Sequence, residues 1–183
     1  MLTRIRPALA ATAAALALGL GGAVAATSAA AASPAAIGRC STASLSVWVN
    51  LSQGSVAAGT TSWPLDFTNT GRRPCTLDGY PGVVAATANG GQLGRAADHW
   101  PVAHAATVTI AAGGTAHALL FWLDAMNFPA GCQLTTASLI KVTPPGQRSA
   151  ADAFFSLPVC RSTKPLYQDL FVSVVEPGAG RAR

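Results

Sequence analysis

Four cysteines constrain the fold of this 183-residue chain more than any other feature. They are Cys40, Cys75, Cys132 and Cys160, and no two of them are close together in the sequence. Zinc sites built from cysteine use closely spaced pairs such as C-x2-C, which this chain lacks. In an oxidising compartment, an even number of widely spaced cysteines predicts two disulfides instead. The fold prediction therefore depends on where the chain is located.

The N-terminus has the layout of a secretory signal peptide. Residues 1–7 carry Arg4 and Arg6 with no acidic residue, and an uncharged, Ala-rich run follows. Small residues such as Ala23-Val24-Ala25 then provide an A-x-A cleavage site. We predict a signal peptide over residues 1–26, with overlapping cleavage sites as far as residue 32. The alternative, a membrane anchor, requires about 20 strongly apolar residues, whereas this run consists mainly of Ala and Gly.

The charge of the chain argues against nucleic acid as a partner. Removal of Arg4 and Arg6 lowers the formal charge from +5 to about +3, and the other basic residues are scattered apart from Arg72-Arg73. Nucleic-acid binding favours a clustered basic face. The mild basicity fits either ordinary solubility or a location near anionic envelope polymers. The abundance of Ala, Gly and Arg is typical of GC-rich coding and predicts an actinobacterial source.

Apolar residues recur at a spacing of two through the exported part, which is the period of a β-strand. Leu45, Val47 and Val49 show this pattern most clearly. Pro64 donates no backbone hydrogen bond, so its strand is expected at a sheet edge or at a bulge, and Asn89-Gly90-Gly91 predicts a hairpin turn. Strands are predicted at 45–49, 63–67, 83–87, 107–110, 115–123, 134–142, 154–157 and 166–175. The pattern predicts an all-β fold, an antiparallel immunoglobulin-like β-sandwich of about seven to nine strands.

The strand layout suggests how the cysteines pair. Cys40 precedes the first strand and Cys75 follows the second, so both lie at one end of an antiparallel pair. Cys132 and Cys160 bracket two later strands in the same way, and of the three possible connectivities Cys40–Cys75 and Cys132–Cys160 require the least rearrangement. We predict a flexible linker over 27–38, a single sandwich domain over 39–176 and a flexible tail over 177–183. No transmembrane span is expected in the mature chain.

The stretch from Leu65 to Val83, LDFTNTGRRPCTLDGYPGV, combines a polar turn, a cysteine and a Gly/Pro corner. Gly79 permits a positive φ angle, and Pro81 biases Tyr80 toward an extended conformation. We interpret the stretch as a structural corner. It resembles the hallmark of the bacterial family called domain of unknown function 4232, and the resemblance covers Cys40 to Val175. It implies a secreted actinobacterial β-sandwich, and it supplies no catalytic residues.

Few residues are candidates for catalysis or metal binding. The chain lacks a G-x-S-x-G elbow, and its acidic residues are spread singly, as in solvated turns. Asp98, His99 and His104 are the best metal-ligand candidates, since a carboxylate and two imidazoles suit Zn²⁺ or Cu²⁺. On a strand, however, His99 and His104 would point to opposite faces, and they converge only if Pro101 bends the segment. No cofactor is expected, and the alternative interpretation is an exposed polar loop.

Aromatic residues provide the remaining signal for binding. Trp48 and Trp100 fall on or near the polar phase of their segments, where exposed rings bind sugars or anchor a protein partner. Trp63 and Trp122 are expected in the core. The alternative is that all four rings are buried.

Two functions from different classes follow. We favour a secreted or wall-associated, non-catalytic β-sandwich, which binds an envelope protein or polysaccharide of unknown identity. The rival is a secreted metal-binding or hydrolytic enzyme that uses the loop from Asp98 to His104. The oligomeric state is not predicted.

Overall fold

The computed structural model describes residues 36–181. The predicted signal peptide and residues 27–35 of the predicted linker lie outside the described residues. Within 36–181 the chain forms thirteen strands and five short 3₁₀ turns. The strands are β1 Leu45–Val49, β2 Ser55–Ala57, β3 Thr60–Asn69, β4 Cys75–Asp78, β5 Gly82–Ala86, β6 Gln92–Ala96, β7 Asp98–His99, β8 Thr107–Ile110, β9 Thr115–Leu123, β10 Leu134–Thr143, β11 Ala151–Cys160, β12 Leu170–Val172 and β13 Glu176–Pro177. The 3₁₀ turns are Thr42–Ser44, Leu51–Gln53, Ala125–Asn127, Ala130–Cys132 and Pro165–Tyr167. None of the helical segments in this range has the length and hydrophobicity needed to cross a bilayer.

Two sheets carry the fold. The first sheet has the order β1-β3-β9-β12-β7, with β2 added to β3 and β13 added to β9, and the second has the order β11-β10-β5-β6. A separate ribbon pairs β4 with β8. Strand pairing is antiparallel except between β12 and β7. The predicted all-β, antiparallel architecture is confirmed, whereas its immunoglobulin-like character stays a prediction.

The predicted number of strands is too low, because the short strands carry no clear apolar alternation. The sequence pattern misses β2, β4, β6, β7 and β13, each of five residues or fewer. Where the alternation is strong, the bounds agree: β8 and β9 match the prediction, and the predicted hairpin turn follows β5, with Gly90 at a φ of 79°.

The core lies between the two sheets. Leu65, Phe67 and Leu120 from the first sheet belong to the same buried cluster as Ile140 and Val142 from the second. Each of these side chains is fully buried. Burial of one such side chain contributes about 1.5–3 kcal/mol, so the facing layers make this domain sandwich-like.

Both predicted disulfides are confirmed. Cys40 is bonded to Cys75 and Cys132 to Cys160, each pair with Cα atoms 4.8 Å apart, within the usual range for a disulfide. Because β1 and β3 run antiparallel, the chain before β1 and the chain after β3 meet at one end of the sheet. The described part of the chain contains no free cysteine.

The prediction of a sheet edge or a bulge at Pro64 is wrong, since β3 lies between β1 and β9 and pairs with β9 without a register shift. Pro64 sits opposite Asn50, just past the end of β1, and its carbonyl accepts a 2.8 Å hydrogen bond from the Asn50 N–H. The N and C=O of one residue face the same neighbouring strand in an antiparallel ladder. The nitrogen of Pro64 therefore faces the gap between β1 and β2, where no ladder bond is required.

The end of the chain also differs from the predicted flexible tail. Glu176 and Pro177 pair with β9, and the Gly180 N–H donates a buried 2.9 Å hydrogen bond to Asp66 Oδ1. His117 Nδ1 lies 3.0 Å from the carbonyl oxygen of Gly178. The described part of the predicted tail thus covers one end of the outer face of the first sheet.

Two acidic residues lie inside the protein rather than in solvated turns. Asp66 and Asp169 are both buried. Asp169 Oδ2 accepts a 2.7 Å hydrogen bond from the N–H of Cys160, a member of the second disulfide. Burial raises the pKa of Asp169 above its ordinary value, and the backbone hydrogen bond from Cys160 opposes that shift.

The strand predicted over 166–175 is shorter than expected. Pro165 begins a 3₁₀ turn, and β12 covers only Leu170–Val172. Ser173 is buried, and its Oγ accepts a hydrogen bond from the Leu119 N–H and donates one to the Val174 carbonyl.

Candidate functional site

Trp100 presents a half-exposed indole on the outer face of the first sheet. Its ring centroid lies 5.2 Å from that of Phe121 in a stacked arrangement and 5.2 Å from that of Phe171 in an edge arrangement. The backbone N–H of Trp100 donates a 2.8 Å hydrogen bond to the Val172 carbonyl. The side chain is 36 % exposed. Two phenyl rings and a backbone hydrogen bond therefore hold an accessible aromatic surface in place.

The strand register explains this arrangement. Phe171 of β12 pairs with Phe121 of β9 and, on its other side, with Asp98 of β7. Directly paired residues lie on the same face of a sheet. Because side chains alternate along a strand, Trp100, two residues after Asp98, returns to the face that carries Phe121 and Phe171.

A small cavity adjoins these rings. Val102, Leu119, Phe121 and Glu176 line a space of about 190 Å³. Val102 follows β7 in the chain. Its backbone N–H donates a 2.9 Å hydrogen bond to the carbonyl of Trp100, which closes a tight turn around Pro101. The cavity combines three apolar walls with one acidic residue. The name Trp100 surface is used here for Trp100, Phe121, Phe171 and this cavity.

The Gly/Pro corner of the sequence lies beside the Trp100 surface. Gly79 has a φ of 98°, a conformation that favours glycine, and its carbonyl accepts a 3.0 Å hydrogen bond from the Val175 N–H. Tyr80 stacks on His99 with ring centroids 3.8 Å apart and planes inclined by 6°. The corner therefore supports the residue that immediately precedes Trp100.

The three candidate metal ligands engage different surroundings. Asp98 forms an exposed 3.8 Å ion pair with Arg95, His99 stacks on Tyr80, and His104 lies exposed in the loop before β8. Within residues 36–181, no group of three or more His, Cys, Asp or Glu side chains is placed to hold a metal ion. The structure does not bring this candidate set together.

The alternative that all four tryptophans are buried is wrong. Trp48 is 44 % exposed and lies on the same outer face as Trp100, since it pairs with Asp66, which pairs with His117. Trp63 and Trp122 are partly buried against the core. Trp122 also donates a 2.8 Å hydrogen bond from Nε1 to the Pro158 carbonyl in the second sheet.

The sequence does not single out Phe121 and Phe171 as parts of a binding surface. Phe121 lies in a run that is apolar on both phases, so periodicity assigns it to neither face. Phe171 alternates with the apolar residues Leu170 and Val172, so it falls on the face of the strand that is expected to be exposed. That position is the sequence feature that marks it as a candidate for binding.

A comparison with protein families gives the same assignment as the sequence motif. A family model described as Domain of unknown function (DUF4232) matches residues 40–174. The chain belongs to the DUF4232 family. No curated protein and no solved structure matches it. The DUF4232 match includes both disulfides, Trp48 and the rings of the Trp100 surface, whereas Glu176 lies just beyond its end.

Proposed function

We propose that this DUF4232 domain is a secreted, non-catalytic binding module that holds a polysaccharide of the cell envelope against the Trp100 surface. The observation that carries the proposal is the half-exposed indole of Trp100, held between Phe121 and Phe171 at 5.2 Å beside a cavity. A rigid ring offers contact area at little entropic cost, because few rotamers are lost on binding.

The size of the surface favours a sugar over a folded protein. A stable protein interface buries about 800 Å² on each partner, whereas the Trp100 surface consists of a few partly exposed rings and one small cavity. A sugar ring presents an apolar C–H face that fits an aromatic plane, with hydroxyl groups at its rim. Trp48, on the same outer face, offers a second exposed ring for a longer chain.

Two observations support export and the absence of catalysis. Disulfides persist in oxidising compartments, and this domain has two of them, downstream of an N-terminal segment with the layout of a signal peptide. The groups needed by the rival enzyme hypothesis are engaged separately, Asp98 with Arg95 and His99 with Tyr80.

Co-sedimentation with insoluble cell-wall polysaccharide from the encoding bacterium tests the proposal. We expect Trp100→Ala to weaken binding by about tenfold or more, as for a central aromatic anchor. Phe154→Ala is the matched control, because Phe154 is an exposed aromatic of the second sheet, 87 % accessible, and we expect binding within about twofold of the wild type.

Trp100→Phe keeps a ring against Phe121 and Phe171, and it separates loss of the binding surface from loss of folding. We expect intermediate binding with an unchanged unfolding midpoint. Absence of wild-type binding, or equal losses in Trp100→Ala and Phe154→Ala, would overturn the proposal.

A further inference from the structure

Three arginines surround a depression at the end of the domain that carries the first disulfide. Arg72 and Arg73 are neighbours in the sequence, and Arg39 lines the same depression while its guanidinium lies beside Gly146, in the turn between β10 and β11. Its volume is about 360 Å³. Besides the three arginines, the lining includes Asn69, Pro74 and Cys75. No acidic residue is among them.

The backbone that carries Arg72 and Arg73 is held firmly. Asn69 is buried, and its Nδ2 donates hydrogen bonds to the carbonyls of Arg73 at 2.9 Å, Ile110 at 3.1 Å and Ala111 at 3.2 Å. Its Oδ1 accepts a 2.9 Å hydrogen bond from the Gly71 N–H. One side chain thus fixes the turn from residue 70 to 74.

The backbone at Arg39 is fixed from the other side. Cys40 is bonded to Cys75, the Cys40 N–H donates a 2.9 Å hydrogen bond to the Thr76 carbonyl, and the Thr76 N–H donates a 2.9 Å hydrogen bond to the Gly38 carbonyl. The disulfide and this pair of hydrogen bonds set the backbone of Arg39 next to that of Thr76, three residues after Arg73. The spacing of the arginines therefore follows from the fold.

The positive charges of the depression are not neutralised within the described part of the chain. Its ion pairs are Arg95 with Asp98 and Lys141 with Asp152, so Arg39, Arg72 and Arg73 have no carboxylate partner there. All three are exposed. Like charges held around one depression attract a multivalent anion, because they raise the local concentration of counter-ions.

We propose that this depression is a phosphate-binding site and that it takes phosphate groups of an anionic envelope polymer. The planar guanidinium of arginine matches phosphate oxygens in a bidentate geometry. A membrane-surface site would pair its basic residues with exposed apolar side chains for insertion, and Pro74 and Cys75 are the nearest to such residues in this lining. An anionic polymer outside the lipid bilayer therefore fits this depression better than a lipid headgroup does.

The phosphate site is separate from the Trp100 surface. Cys75 and Asp78 are the two ends of β4, with the arginines before Cys75 and the Gly79–Tyr80 corner after Asp78. Substitutions at one place are therefore expected to leave binding at the other unchanged, and the two proposals can fail independently.

The test uses linear inorganic polyphosphate as the probe, titrated at 150 mM salt and followed by calorimetry. We expect Arg72→Ser/Arg73→Ser to weaken binding by about tenfold or more, because the variant loses two guanidinium groups that form charge-assisted hydrogen bonds with phosphate oxygens. Arg161→Ser/Lys164→Ser removes the same charge from exposed positions after the second disulfide, and we expect an effect within about threefold, since screening limits long-range attraction.

Arg39→Ser tests whether the third arginine belongs to the same site, and we expect a loss of several-fold. Phosphatidylglycerol vesicles, with phosphatidylcholine vesicles as the neutral control, form a second arm of the experiment. Weakening by the Arg72/Arg73 double variant, with little effect of the Arg161/Lys164 variant, supports the site. Equal weakening by both double variants, no binding of polyphosphate, or binding to the anionic vesicles alone overturns it.

Discussion

The backbone N–H of Gly180 donates a 2.9 Å hydrogen bond to Oδ1 of Asp66, 114 residues earlier in the chain. Asn50 Nδ2 donates to the other carboxylate oxygen at 3.2 Å. A buried carboxylate without partners is costly, and here one partner comes from the C-terminal segment. That segment is therefore part of the folded domain.

Gly180→Ala should destabilise the domain by about 1–3 kcal/mol, since a Cβ there would overlap Pro64 and the His117 ring and would displace the donor to Asp66. Gly38→Ala is the matched control, because a Cβ at Gly38 meets no atom within 4 Å. Urea unfolding measures both variants. Equal stability of Gly180→Ala and the wild type would show that the segment does not contribute.

Asn69→Ala should lower the free energy of unfolding by about 2–4 kcal/mol. It removes the donor for three backbone carbonyls and the acceptor for the Gly71 N–H, and buried polar groups without partners carry this cost. Asn89→Ala, in an exposed hairpin turn, is the control and should change stability by less than about 1 kcal/mol. A small effect at Asn69 would mean that the turn is held by the disulfide alone.

Asp169 should make stability fall as the pH rises. Burial raises its pKa in the folded protein above the ordinary value of 3.8, so between 3.8 and the folded-state pKa the folded protein binds more protons than the unfolded chain. Stability then decreases with rising pH through that window. Asp169→Asn abolishes this contribution and retains an acceptor for the Cys160 N–H. Its stability relative to the wild type should therefore improve from pH 3.5 to pH 7, as measured by urea unfolding at each pH, and a constant difference would contradict this account.

Removing the second disulfide with Cys132→Ser/Cys160→Ser should cost about 3.5 kcal/mol at 25 °C. The bond closes a loop with a sequence separation of 28 residues, and the loss of chain entropy in the unfolded state gives roughly this value. The Cys40–Cys75 loop has a separation of 35 residues, so Cys40→Ser/Cys75→Ser should cost about the same. Denaturant midpoints measure both variants. A loss below about 1 kcal/mol would indicate that the unfolded chain is already restricted.

The features predictable from the sequence are those determined by local pattern. Thr107–Ile110 and Thr115–Leu123 follow from apolar alternation and the turn between them. The disulfides follow because Cys132 and Cys160 bracket an antiparallel pair, β10 and β11. For the strands, neighbouring residues carry the signal, and for the disulfides the order of strands and cysteines along the chain carries it.

The features not predicted depend on contacts between distant parts of the chain. Asp66 lies on the polar phase of its strand, yet it is buried because Gly180 covers it. Arg39 joins Arg72 and Arg73 only through the Cys40–Cys75 bond and its adjoining hydrogen bonds. Similarly, Phe121 and Phe171 meet beneath Trp100 because of the register between β9 and β12. The apolar alternation within one strand does not predict which residues of two strands pair.

We propose that this chain is exported and that its sandwich-like domain is held by two specific disulfides. Mass spectrometry of the protein recovered from the culture medium, with non-reducing peptide mapping, tests it most directly. We expect an N-terminus created by cleavage between residues 25 and 33, with Cys40 linked to Cys75 and Cys132 linked to Cys160. Free thiols, a linked Cys75–Cys132 peptide, or protein that stays in the cytoplasm with residues 1–26 intact would contradict it.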